Sequence, residues 1–145
     1  MDPKIEQMKM FQEQLKEFPT FDLASFVHRN LHPDIAIAFM TIVCPRWYDV
    51  EGCILRYEPQ EGAFHETLKS LSGDKTNLEK LFNHMHVDDL FDPQFNLAPE
   101  NMLYLGKSIA AIWKGVASKE FPKKNLASLA EINADGLVEV TLWSV

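Results

Sequence analysis

The side chains best suited to chemistry lie in the string His84-Met85-His86-Val87-Asp88-Asp89. Imidazole and carboxylate are ordinary ligands of zinc and iron, so His84, His86 and Asp88 form a candidate metal set. Residues two apart on a helix point roughly 200° away from each other, so both histidines can reach one ion only where the helix has already ended. At a helix C-terminus, histidine can instead simply complement the dipole. Cys44-Pro45 is a second candidate. Thiolate and imidazole are both normal axial ligands of haem iron, which makes Cys44 with His84 or His86 a possible cofactor set. Ten phenylalanines and three tryptophans could line an apolar slot for it. Arg46-Trp47-Tyr48 is a third, because these residue types dominate binding energy at protein interfaces. A cysteine-based enzyme needs a thiolate, a base within reach and an oxyanion site, and the spacing assigns no histidine to Cys44 or Cys53.

Two of these strings resemble known motifs. The histidine string resembles the HxHxDH signature of metallo-β-lactamase-type hydrolases, with His84, His86 and Asp88 in register. It departs at Asp89, where the signature has its last histidine, and 145 residues are too few for that fold. Cys44-Pro45 resembles the Cys-Pro core of haem-regulatory motifs, in which the thiolate ligates iron and proline directs the chain away from the ring. Gly106-Lys107-Ser108 is similar to the tail of a phosphate-binding P-loop, but Asn101 replaces the upstream glycine. The string also falls inside an expected helix, whose backbone donors are already engaged.

These side chains need elements to position them. Ile5, Met8, Phe11, Leu15 and Phe18 recur at helical spacing, and Pro19 stops that helix. Thr20 is placed to cap a second helix carrying Leu23, Phe26, Val27 and Leu31, which His32-Pro33 ends. The run from Ile35 to Cys44, apolar on both faces, predicts a central strand. Cys53 to Glu58 is the expected hairpin partner, with Arg46-Trp47-Tyr48 exposed in the loop between them. A short helix over 63–71 ends at Ser72-Gly73. Thr76-Asn77-Leu78-Glu79 fits the capping box of the next helix. Pro99 suits the first turn of a long helix reaching about Lys119, where Gly106, Ala110, Ala111 and Gly115 leave room for close backbone approach. Asn133-Ala134-Asp135-Gly136 reads as a turn before a strand at 138–143, which alternates Val138, Val140 and Leu142 with polar residues. Residues 126–132 are its expected strand partner, with a helix as the alternative because Leu, Ala and Glu are good helix formers.

The expected fold is therefore α+β, a single domain over residues 1–145. An antiparallel sheet of about four strands from two hairpins carries helices mainly on one face. With 14 basic against 21 acidic side chains the formal charge is −7, which opposes broad binding to nucleic acid or anionic membrane. The N-terminal residues lack the basic start and apolar run of a secretory signal, so a soluble cytoplasmic protein with free thiols at Cys44 and Cys53 is expected. The leading functional expectation is a binding module without catalysis. It acts through a protein interface, including self-association as a dimer, or through an apolar small-ligand pocket between sheet and helices. A haem or divalent-metal protein is the alternative, and a small Cys/His enzyme a further one.

Overall fold

The structure, a computed structural model, describes residues 2–95 and 97–145. After a 3₁₀ turn at Ile5–Gln7 come α1 (Lys9–Glu17), α2 (Leu23–Asn30) and α3 (Pro33–Val43). The strands β1 (Tyr48–Val50) and β2 (Cys53–Leu55) follow, then α4 (Ala63–Ser70), α5 (Lys75–Phe82) and the short β3 (Met85–His86). A second 3₁₀ turn at Asp88–Leu90 leads to α6 (Pro99–Glu120), β4 (Leu126–Ile132) and β5 (Val138–Ser144). The α+β class is as expected. No helix among the described residues is long and apolar enough to cross a membrane.

The strand expected over residues 35–44 is instead α3. A run apolar on every side satisfies a buried strand and a buried helix equally well, and the deciding signals lie at its start. Pro33 occupies the first helical turn, and His32 Nδ1 accepts the Asp34 N–H at 3.2 Å. Thr41 Oγ1 then bonds back to the Ile37 carbonyl at 2.9 Å, as a hydroxyl on a helix can. The caps of two other helices also move. Asp22, not Thr20, caps α2 by accepting the Ser25 N–H at 2.7 Å. Asp74, not Thr76, caps α5 by accepting the Asn77 N–H at 3.0 Å.

The first hairpin is tighter than expected. Tyr48 pairs with Leu55 and Val50 with Cys53, leaving only Glu51-Gly52 to turn the chain. Both turn residues have positive φ, 52° and 87°, as a type I′ turn requires. Trp47, expected on the surface beside this hairpin, is only 3% exposed. It packs edge-on against Trp113 of α6, with ring centroids 5.7 Å apart, because the large indole buries more apolar area than solvent exposure allows it. Arg46 remains outside, over the Tyr48 ring.

The expected four-stranded sheet is replaced by two sheets, β1-β2 and β3-β5-β4. Side chains from α5 fill the gap between β2 and β5 where a backbone ladder would have run. Glu79, 1% exposed, accepts the Ile54 N–H at 2.6 Å and both the N–H and hydroxyl of Ser144 at 2.5 and 2.8 Å. One helical turn on, Asn83 donates to the carbonyls of Ile54 and Leu142 at 2.7 and 3.0 Å and accepts the Arg56 N–H at 3.0 Å. A carboxylate and an amide thus satisfy edge groups that burial would otherwise leave unpaired.

α6 covers one face of the three-stranded sheet. A Cβ on Gly106 would lie 2.5 Å from Val138 Cγ1, so only glycine permits this approach. Val138, Val140 and Leu142 face α6 and are buried, while Glu139, Thr141 and Trp143 alternate onto the other face.

Candidate metal centre

α5 ends at Phe82 with Asn83 as its C-cap, so His84-Met85-His86 is extended chain and not the tail of a helix. In that conformation residues two apart share a face. Met85 turns into the core and the two imidazoles turn outward together. Arg56 pins the start of this segment, donating from Nη2 to the His84 carbonyl at 2.9 Å and from Nε to the Phe82 carbonyl at 3.4 Å. Its guanidinium also lies over the Trp113 ring, 5.5 Å from the centroid.

β3 pairs with β5 so that His86 stands directly opposite Glu139. The result is a convergence of three donors. His84 Nε2 and His86 Nε2 are 3.1 Å apart, and His86 Nε2 is 3.1 Å from Glu139 Oε1. His84 Nε2 lies 4.0 Å from the same carboxylate oxygen. One ligating atom from each of the three residues falls within 4.8 Å of the others. All three side chains are partly open, at 37%, 29% and 25% exposure, so an ion can enter without unfolding the sheet.

Hydrogen bonding prepares the carboxylate. Asn133 Nδ2 donates to Glu139 Oε1 at 2.7 Å, while Asn133 Oδ1 accepts the N–H groups of Asp135 and Leu137, each at 3.0 Å. The Asn133 donor, opposed by partial burial and helped by His86, holds the Glu139 carboxyl below the usual carboxylate range. Its charged, ligating form is therefore favoured. On the far side of the His86 ring, Nδ1 lies 3.7 Å from Asp89 Oδ2. The carboxylate is beyond hydrogen-bond distance but faces the ring nitrogen that a metal at Nε2 leaves to an orienting partner.

No protein-family model, curated protein or solved structure matches this chain. Of the residues singled out in the sequence, the structure brings His84 and His86 together. It commits Asp88 elsewhere, accepting the Val138 N–H at 2.7 Å and so fastening the 3₁₀ turn to the hairpin. Cys44 caps the end of α3, exposed and outside the convergent set, and Cys53 is buried in β2. Glu139 takes the position expected of Asp88. It was present in sequence only as a polar residue of an alternating strand, and pairing with a two-residue β3 leaves no periodic signal.

Two imidazoles with one carboxylate are a donor set used for zinc and, with open positions, for non-haem iron(II). A metal bound there would act as a Lewis acid towards water or a substrate oxygen.

Proposed function

We propose that the protein binds a divalent transition metal ion through His84, His86 and Glu139. The observation supporting this most strongly is the approach of three ligating atoms within 4.8 Å on the outer face of one sheet. The two Nε2 atoms lie 3.1 Å apart, a spacing at which both can ligate one ion, and ligation requires unprotonated nitrogens. Affinity consequently falls on acidification, as protons compete for both rings and the carboxylate. Isothermal titration of zinc at neutral pH tests the reading. Saturation at one equivalent is expected, with affinity reduced more than about tenfold in His84→Ala, His86→Ala or Glu139→Gln. Equal binding by all four proteins, or none by the wild type, would remove it.

An apolar cleft of about 710 Å³ favours a second reading, the binding of a small apolar ligand. It lies between α1, α2, the start of α6 and the non-helical chain before α6, lined by Phe11, Phe26, Phe91, Phe95, Tyr104 and Leu105. Its size and lining suit a ligand of drug-like dimensions. An environment-sensitive apolar dye should bind saturably, and Leu105→Trp should abolish that binding by filling the cleft. Undiminished binding in the variant would place the dye elsewhere.

A further inference from the structure

Three donors leave a tetrahedral ion one ligand short. The strand register identifies where a fourth can come from. Glu131 on β4 pairs directly with Glu139 on β5, which pairs in turn with His86 on β3. One row, His86–Glu139–Glu131, therefore crosses all three strands on the face turned away from α6. Cross-strand partners share a face and hold their Cβ atoms about 4.5–5.5 Å apart, within reach of a common ion.

Two other carboxylates lie nearby. Asp88 holds the Val138 N–H, and Asp89 approaches the opposite nitrogen of His86. Glu131 is exposed, and among the described residues no hydrogen bond or ion pair holds its carboxylate. That carboxylate stands outside the three converged groups, and joining them requires a turn about its side-chain torsions. Moreover, like charges directly opposite each other destabilise an antiparallel pair. The register sets Glu131 opposite Glu139, so a divalent cation held by both carboxylates would offset their mutual repulsion.

We propose that Glu131 supplies the fourth ligand, completing a His₂Glu₂ site for a tetrahedral divalent ion such as zinc(II). This rests on the three-ligand reading above. Two carboxylates balance the charge of a divalent ion. The absence of thiolate from this set makes it a poor site for copper(I).

The test uses cobalt(II) as a visible probe, with thermal unfolding measured in the presence and absence of zinc. Wild type should give the intense visible bands of four-coordinate cobalt(II). Glu131→Gln should bind about tenfold more weakly or worse, with weaker bands as water enters the vacated position. In metal-free protein Glu131→Gln should melt above wild type, because the like-charge pair is gone. With saturating zinc the order should reverse. If Glu131→Gln matches wild type in cobalt affinity and spectrum while His86→Ala loses binding, Glu131 is not a ligand and the three-residue site stands. If wild type binds no cobalt and gains no stability from zinc, both readings fall.

Discussion

Asn133 illustrates how one side chain can serve the backbone and the site together. Its oxygen closes the β4–β5 turn, and its amide hydrogens orient Glu139. Because the folded Glu139 carboxyl is held below its ordinary range, its contribution to stability is present above that range and lost as pH falls through the depressed value. Asn133→Ala should raise the Glu139 titration towards the usual carboxylate value in a side-chain NMR titration. An unchanged midpoint would mean that the amide does not control it. The cysteines offer a second residue-scale prediction. Burial, with Glu79 nearby, pushes the Cys53 thiol up, whereas Cys44 lies open at the end of α3. A thiol-reactive chromophore should therefore label one cysteine per native chain and two after denaturation. Two labelled under native conditions would contradict this burial. Both thiols were visible in the sequence. Their opposite environments were not, because each depends on which element its neighbours form.

At the scale of elements, α3 shows what composition leaves open. The segment from 35 to 44 is apolar but for Thr41, and only Pro33 with the His32 cap distinguishes a helix from a strand. Ile37 is 66% exposed on that helix, whereas in a central strand it would be buried. Ile37→Glu should therefore shift the urea midpoint little, by an amount within about 0.5 kcal/mol. A loss of several kcal/mol would restore the strand. α6 shows the reverse case, in which the element was legible but its contact residue was not. Four small residues recur along it, yet only Gly106 meets a neighbour closely enough to exclude a Cβ, while Gly115 has open space around it. Gly106→Ala should cost about 1–3 kcal/mol by overpacking against Val138. Gly115→Ala should stabilise the helix by about 0.5–1 kcal/mol. Chemical denaturation of the two variants should give opposite signs. The second strand of the last hairpin and its turn were legible, because alternation and turn residues agree, whereas Leu126–Ile132 also suits a helix by composition. The pairing of β3 with β5 was not, since two residues carry no period.

Across the whole molecule, the division into two sheets follows from Glu79 and Asn83. The sequence fits Glu79 to a capping box; the structure buries it between β2 and β5, where it satisfies three donors. Removing a buried acceptor leaves each donor unpaired at about 1–3 kcal/mol apiece, so Glu79→Ala should cost at least about 3 kcal/mol in urea denaturation. A loss below about 1 kcal/mol would show that water or a neighbour replaces the carboxylate. The same arrangement supports the proposed site, because α5 ends at Asn83 and delivers His84 and His86 onto the edge of β5. The most direct measurement of that site is anomalous diffraction at the zinc edge from crystals grown with the metal. A single strong peak is expected at about 2.0–2.2 Å from His84 Nε2, His86 Nε2 and a Glu139 carboxylate oxygen. A peak at Cys44, or no peak on the outer face of the β3-β5-β4 sheet, would contradict it.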